Sequence, residues 1–341
     1  MIFRSKAPLR IGLAGGGTDV SPYCDLYGGA ILNTTISHAA YASIETLDAN
    51  KIIVETLDRK EKQEFSWDTI LPIDGELNLL KGVYNRIQKD YGIKKCGIRL
   101  STFVDAPAGS GLGTSSTLVV AILGAFIEML RLPFSQYDAA HYAYDIERNN
   151  LQLAGGRQDQ YAATFGGVNF MEFYKEDKVI VNPLRIRDEY MNELENNLVL
   201  YFTSTSRESA EIIKEQVSNV NKKNEKSSEA MHQLKEQAKM MKEALLKGKL
   251  NDIGEILDYG FQQKRLMAHN ISNTSIEEVY DAAKKAGATG GKISGAGGGG
   301  FMIFYCPAKT TYAVRKTLHS FGGEVKKYAF TNQGLATWTV K

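Results

Sequence analysis

The chain has 341 residues, of which 43% are hydrophobic and 23% charged, and its formal net charge is +2. This length is sufficient for two domains with hydrophobic cores, and the nearly balanced charge argues against a protein that binds nucleic acid or a membrane surface. Three dispersed cysteines, a start without an apolar signal-peptide core and apolar stretches too short to cross a bilayer predict a cytoplasmic protein.

The first predicted element is a strand of alternating hydrophobicity. Leu9, Ile11 and Leu13 share one face of it, whereas Arg10 and Gly12 share the other. The strand leads into the sequence GGGTD, whose glycines allow a ligand or another backbone segment to approach closely. We expect further strands in TTISHAAYASIETL, KIIVETL and CGIRLSTFV, so the chain begins as a sheet.

A glycine-rich loop, DAPAGSGLGTSS, starts at Asp105, and the segment TLVVAILGAFIEML that follows is apolar on nearly every side. This pattern predicts a buried helix that begins near Thr114, Ser115 and Ser116. The free N–H groups and the positive dipole end of such a helix favour an anion. A P-loop is excluded because no lysine follows Gly113. These residues alone leave two interpretations, a phosphate-binding loop and a Gly/Ser loop that only caps the helix.

The middle of the chain supplies two carboxylates. A capping box at Ser135 and Asp138 predicts a helix to about Arg148, and AGGRQDQYAATFGG then forms a second glycine-rich loop before the strands FMEFY and KVIVNPL. Glu147 lies near the end of this helix and Asp159 lies in the loop. Either one alone fits a solvated or turn-forming residue. Phosphoryl transfer, however, requires anion-binding amides, oxygen ligands for Mg²⁺ and a carboxylate at the acceptor hydroxyl.

The hydrophobicity pattern of the sequence changes near residue 190. Apolar residues at steps of three and four over residues 210–245 predict long amphipathic helices packed on their own domain, with a coiled-coil surface as the alternative. A helix over 275–286, the glycine-rich segment TGGKISGAGGGG, the strand FMIFY, a helix over 310–321 and closing strands follow. GAGGGG fits the dinucleotide expression G-x-G-x-x-G, but a strand follows it instead of a helix, which excludes that fold. We therefore predict an N-terminal domain over residues 1–190 and an α+β C-terminal domain over 191–341.

Three segments in this order, PLRIGLAGGGTD, PAGSGLGTSS and KISGAGGGGF, resemble the three motifs of the GHMP small-molecule kinases, and the resemblance spans residues 6 to about 305. It implies an α+β fold of two domains, each of mixed sheet and helices, with the active site between them. It also implies ATP and Mg²⁺ as cofactors and a small-molecule acceptor.

The resemblance assigns roles residue by residue. Asp159 would face the acceptor hydroxyl and Arg10 would be the catalytic cation of the first motif. Ser115 and Glu147 would hold Mg²⁺. The nucleotide phosphates would lie over the loop formed by Pro107, Ala108, Gly109, Ser110, Gly111, Leu112, Gly113, Thr114, Ser115 and Ser116.

The acceptor is inferred from a departure within the family. Galactokinases carry a Glu-His pair where this chain has Gly16 and Gly17, which argues against galactose. The motifs look most like the branch that phosphorylates the C1 hydroxyl of D-glycero-D-manno-heptose 7-phosphate, on the route to nucleotide-activated heptose for surface glycans. The implied substrate-binding residues are Gly16, Gly17, Thr18, Asp19, Arg157, Lys292, Gly297 and Gly298, with Lys264 and Arg265 as further candidate cations for the sugar phosphate.

Two other interpretations remain open from the sequence. The chain fits a GHMP kinase that acts on the C1 hydroxyl of fucose or another unphosphorylated sugar. It also fits a non-catalytic sugar-binding regulator of the same fold, although the presence of Asp159, Glu147 and Ser115 disfavours this. The sequence leaves a homodimer open and gives no residues for the adenine pocket.

Overall fold

The computed structural model describes residues 1–67, 69–93, 97–204 and 209–341, and it contains two β-sheets with helices packed on both. Cys96, in one predicted strand, lies outside the described residues. The strands are β1 Ile2–Ala14, β2 Gly29–Leu47, β3 Lys51–Thr56, β4 Glu61–Ser66, β5 Gly97–Val104, β6 Val168–Phe173, β7 Val179–Pro183, β8 Leu198–Phe202, β9 Gly290–Ile293, β10 Phe301–Tyr305, β11 Glu324–Lys326 and β12 Ala336–Val340. The helices are α1 Tyr23–Tyr27, α2 Asn78–Tyr91, α3 Thr114–Leu130, α4 Gln136–Asp145, α5 Gln158–Phe165, α6 Asp188–Asn197, α7 Ser209–Asn221, α8 Glu225–Leu246, α9 Ile253–Lys264, α10 Thr274–Lys285 and α11 Thr310–His319.

The first sheet has eight strands, with the path β12-β1-β2-β5-β3-β4 and a branch in which β6 pairs with β2 and β7 pairs with β6. The pair β3 and β5 is parallel, and the other pairs are antiparallel. Leu9, Ile11 and Leu13 of β1 are fully buried, which confirms the predicted apolar face. Arg10, on the other face of the strand, is buried as well, and it lines the cleft that holds the candidate site.

Helix α3 is the buried helix that the sequence predicts. Its residues from Ser116 to Phe126 are buried, and it packs on β1 and β2. The helix begins after Gly113, whose left-handed backbone (φ +77°) turns the loop into the helix axis. It ends at Leu130, just before Leu132 and Pro133.

The second sheet has the order β11-β8-β10-β9 and is antiparallel. The segments α7 and α8 are amphipathic helices, as predicted, with Met231, Leu234, Ala238 and Met241 among the buried residues of α8. Part of the apolar face of α8 packs against the first sheet, because Ala238 and Met241 share a core cluster with residues of β1 and β2. Helix α8 thus joins the two sheets.

The division at residue 190 does not hold for the last strand. Strand β12 pairs with β1 of the first sheet, with Ile2 opposite Val340 and Lys6 opposite Ala336. The antiparallel edge of β1 supplies backbone partners that β12 needs for its own N–H and C=O groups. Residues 336–340 therefore belong to the first sheet, although the sequence grouped them with 191–341. Within the part of the chain that the structure describes, no helix combines the length and apolarity needed to span a membrane.

Candidate active site

The glycine-rich loop before α3 has the backbone that close approach of a ligand requires. Gly109, Gly111 and Gly113 have φ values of +71°, +84° and +77°, a region that residues with a Cβ rarely adopt. Helix α3 starts at Thr114, as predicted, so the N–H groups of its first turn have no partner within the helix. The positive dipole end of the helix and these free N–H groups together favour an anion.

The third glycine segment lies directly against this loop. Ser294 Oγ donates to the carbonyl of Gly111 at 2.8 Å, and the Phe301 N–H donates to the carbonyl of Ser110 at 2.8 Å. A Cβ at Gly111 would lie 2.5 Å from the Ser294 carbonyl oxygen. Contact between the two segments thus depends on glycine.

Within the third segment, Gly295 and Ala296 line the cleft, whereas Gly297 and Gly298 do not. The Gly298 N–H donates to the carbonyl of Ile271 at 2.8 Å, and a Cβ at Gly297 would lie 2.9 Å from Ile271 Cα. These two glycines pack the segment against Ile271, and their expected contact with substrate stays a prediction.

Arg10 and Asp159 meet at the centre of the cleft. Arg10 Nε lies 2.7 Å from Asp159 Oδ1, and Arg10 Nη1 donates to the carbonyl of Gly111 at 2.5 Å. The Arg10 side chain is 4% exposed and that of Asp159 is 24% exposed. Asp159 is in the first turn of α5, not in the loop where the sequence placed it. Its carboxylate faces Gly113, at which a Cβ would lie 3.0 Å from Asp159 Cγ.

Asp19 fixes the start of α5. Its Oδ2 accepts hydrogen bonds from the backbone N–H groups of Arg157 (2.8 Å) and Gln158 (3.0 Å). A Cβ at Gly156 would lie 1.9 Å from the same oxygen, so only glycine fits there. Burial raises the pKa of Asp19, with an opposing effect of these hydrogen bonds. Asp19 also lines the cleft.

Glu147 is buried, yet it lines the same cleft. It lies in a π-helical turn over residues 146–150, and its carboxylate accepts hydrogen bonds from Ser116 Oγ (3.0 Å) and the Gln160 amide. Burial raises the pKa of Glu147, while Arg148 and these donors oppose the rise. The hydroxyl that contacts Glu147 is thus that of Ser116, whereas Ser115 is exposed and faces the open space.

Two cavities meet at the start of α3. The cleft just described has a volume of about 270 Å³. A second, larger cavity of about 680 Å³ shares Thr114, Ser115 and Leu153 with it. Its other lining residues include Thr56, Asp58, Arg59, Leu77, Asn78, Leu80, Val104, Ala106, Pro107, Ala108 and Leu118. The sequence did not reveal this cavity because its walls come from separate strands and helices.

Two of the candidate cations for a sugar phosphate have other partners. Arg157 donates to the carbonyl of Tyr174 and pairs with Asp25 and Asp177, at 3.3 and 2.6 Å. Arg157 does not line the cleft in this structure, and its expected contact with substrate stays a prediction. Arg265 pairs with Glu277 at 2.5 Å and is likewise absent from the cleft lining.

The two lysines are both buried but differ in position. Lys292 donates to the carbonyls of Gly12 (3.0 Å) and Ile293 (2.9 Å) and does not line the cleft in this structure. Burial, with Lys264 and Arg10 nearby, lowers the pKa of Lys292 well below its usual value. Lys264 does line the cleft.

The residues of the first motif, GGGTD, also differ in whether they line the cleft. Gly17 lines the cleft, whereas the carbonyl of Gly16 accepts a long hydrogen bond of 3.4 Å from Lys264 Nζ. Thr18 is fully buried, and its hydroxyl donates to the carbonyls of Gly15 and Ala30, which stabilises the turn. Sequence reasoning missed cleft residues on helices far along the chain, among them Gln158, Ile213 and Gln216.

Comparison with known families agrees with this geometry. Residues 78–167 match the GHMP kinases N-terminal domain, and residues 241–322 match the GHMP kinases C-terminal domain. The chain belongs to the GHMP kinase family and is an ATP-dependent small-molecule kinase. This confirms the family and the α+β fold of two mixed domains expected from the three motifs.

Individual relatives narrow the comparison. The chain is 44% identical, over 99% of both chains, to the D-glycero-alpha-D-manno-heptose 7-phosphate kinase of Campylobacter jejuni. It is 43% identical to a D-glycero-D-manno-heptose 1-phosphate kinase from Bacteroides thetaiotaomicron, whose crystal structure superposes with a TM-score of 0.84 over 99% of both chains. It is 28% identical to the L-fucokinase/L-fucose-1-P guanylyltransferase of Bacteroides fragilis, covering 92% of this chain but 35% of that one.

Proposed function

We propose that this protein transfers the γ-phosphoryl group of ATP to the C1 hydroxyl of D-glycero-D-manno-heptose 7-phosphate, giving the 1,7-bisphosphate. The observation that carries the proposal is the junction of two cavities at the start of α3, with the Arg10–Asp159 pair beside it. The larger cavity suits a nucleoside, and the polar cleft suits a sugar. The high identity to the heptose 7-phosphate kinase supports the choice of sugar.

Each part of the proposed reaction has a residue in place. The backbone of residues 109–116 would cradle the β- and γ-phosphates, and Asp159 would accept or orient the proton of the C1 hydroxyl. The transition state of phosphoryl transfer is loose, so alignment and neutralisation of charge matter more than base strength. Arg10 would neutralise charge on the moving phosphoryl group, and Asp19 Oδ1 would accept a hydrogen bond from a ring hydroxyl.

The residues present also suit Mg²⁺. Hard cations prefer carboxylate and hydroxyl oxygens, and Glu147 and Ser115 offer one of each at the cleft. Gln160 and Ser116 would hold the Glu147 carboxylate in position. When bound, the ion would neutralise charge on the nucleotide phosphates.

Cys24 and Cys306 are free and buried, which supports the expected cytoplasmic location.

The names of two of these similar proteins differ in the position of the phosphate, at C7 in one and at C1 in the other. The test is therefore a panel of acceptors with the purified protein and MgATP. We would measure ADP release with heptose 7-phosphate, heptose 1-phosphate, unphosphorylated heptose and L-fucose, and locate the new phosphate by ³¹P NMR.

We expect heptose 7-phosphate to give the highest kcat/KM, with a new anomeric phosphate in the product. Faster turnover of heptose 1-phosphate or of fucose would reject the proposed acceptor. Failure to hydrolyse or transfer phosphate with any acceptor would favour the sugar-binding regulator.

A further inference from the structure

Two buried polar side chains line the cleft without the partners that burial demands. Lys264 is 2% exposed, and among the described residues its ammonium has one hydrogen bond, of 3.4 Å, to the Gly16 carbonyl. Among the described residues, no carboxylate lies within ion-pair distance of it. Gln216 of α7 is 3% exposed, and its amide nitrogen has no hydrogen-bond partner in the described part of the chain. A buried ammonium or amide without partners is costly, so these two groups at the cleft call for an explanation, and a bound ligand would supply one.

The other cations that line the cleft are already engaged. Arg10 is bonded to Asp159 and to the Gly111 carbonyl. Arg148 donates to the carbonyls of Leu153 and Gly156 and lies 3.7 Å from Glu147. Lys264 is thus the cation among the described lining residues that is available to an anion.

Lys264 and Gln216 both lie at the double glycine of the first motif. A Cβ at Gly16 would be 3.8 Å from Lys264 Nζ, and a Cβ at Gly17 would be 3.5 Å from Gln216 Oε1. All of these residues lie away from the larger cavity, whose lining includes none of them. They therefore belong to the acceptor side of the site, and Gly16 has no side chain that would contact the ammonium.

We propose that Lys264 and Gln216 form an anion subsite that binds the 7-phosphate of the sugar and selects phosphorylated acceptors. The inference rests on the proposed function. A lysine binds phosphate as a point charge and the amide adds a directed hydrogen bond, while Arg10 and Asp159 would act at the C1 hydroxyl of the sugar. The pKa of Lys264 is consistent with this environment: burial, with Arg10 nearby, lowers it to about 8 although Asp19 opposes the shift.

The experiment compares Lys264→Met, Gln216→Leu and the wild type on heptose 7-phosphate and on unphosphorylated heptose. Lys239→Met, an exposed lysine paired with Glu236 on α8, is the matched control and should behave as the wild type. For Lys264→Met we expect kcat/KM for heptose 7-phosphate to fall at least about 30-fold, equivalent to ~2 kcal/mol. For Gln216→Leu we expect a fall of about fivefold, or ~1 kcal/mol. With unphosphorylated heptose, both variants should stay within about threefold of the wild type, and the KM for ATP should not change.

Equal losses on both acceptors would overturn the subsite and leave the proposed function intact. A raised KM for ATP would overturn it too, because the lysine would then serve the nucleotide. A wild type that does not act on heptose 7-phosphate would refute the proposed function and the subsite together. Melting curves supply a second measurement: heptose 7-phosphate should raise the melting temperature of the wild type and of Lys264→Arg, but not of Lys264→Met or Lys264→Gln, and an equal rise in all of them would overturn the inference.

Discussion

Replacing Asp159 by Asn removes one charge from the centre of the cleft with almost no change in shape. Asp159 Oδ1 accepts the 2.7 Å hydrogen bond from Arg10 Nε, and the amide oxygen of Asn can accept the same bond. A charge-assisted bond is about twice as strong as a neutral one, so we expect a stability loss of about 1 kcal/mol. The variant should fold.

Its turnover should fall much further. A positioned acid or base contributes roughly 10²- to 10⁴-fold, so Asp159→Asn should lower kcat at least about 100-fold, or ~2.7 kcal/mol of barrier. The KM for ATP should stay within about threefold of the wild type, because Asp159 does not line the larger cavity.

The assay is steady-state ADP release at saturating heptose 7-phosphate, with nucleotide binding measured separately by titration. The surface variant Asp138→Asn makes the same chemical change in the capping box of α4 and should keep full turnover. If Asp159→Asn retains wild-type turnover, Asp159 has no part in the chemistry. If the KM for ATP rises while kcat is unchanged, the carboxylate serves the nucleotide.

The remaining predictions concern the metal, the pH dependence and the loop. Ser115→Ala should raise the Mg²⁺ concentration needed for half-maximal rate. An unchanged metal titration would show that this hydroxyl does not hold Mg²⁺ together with Glu147. The KM for heptose 7-phosphate should rise as the pH passes about 8, because Lys264 loses its proton there; a KM that is constant from pH 7 to 9.5 would contradict this. Gly111→Ala should lower kcat/KM for ATP at least about tenfold, because its left-handed backbone and the 2.5 Å approach to Ser294 exclude a Cβ, and normal kinetics would show that the loop can relax.

Local patterns were sufficient for the elements that carry the site. The apolar run after Ser116 predicted α3 and a start near Thr114, Ser115 and Ser116, because the glycine before the helix and the apolar residues within it are neighbours in the sequence. The capping box at Ser135 predicted the start of α4 for the same reason, and the structure shows both of its hydrogen bonds.

Contacts between distant segments were not predictable from patterns. Arg10 and Asp159 are 149 positions apart, and only the family motifs suggested that they share a site. The pairing of β12 with β1 depends on an unfilled sheet edge, which leaves no mark in the sequence of residues 336–340.

The basic residues show the same limit most clearly. The sequence shows that a residue is charged but not which residue it pairs with, so Arg157, Lys292 and Lys264 were all candidates for the sugar phosphate. The structure separates them by what surrounds each one: two carboxylates for Arg157, two carbonyls for Lys292 and one distant carbonyl for Lys264.

This difference in partners has a consequence for stability. The pKa of Lys264 is about 8 in the folded protein and 10.5 without burial, so the folded state binds fewer protons than the unfolded state between these values. Stability linked to Lys264 therefore rises with pH from about 8 to 10.5, and at neutral pH the charged lysine lowers the stability of the ligand-free protein by roughly 3 kcal/mol. An anion beside the ammonium would reverse this effect by favouring the charged form. The charges of Arg10 and Asp159 compensate each other without substrate, and their ion pair holds the geometry of the cleft. The charge of Lys264, by contrast, is compensated only when a negatively charged acceptor enters the cleft.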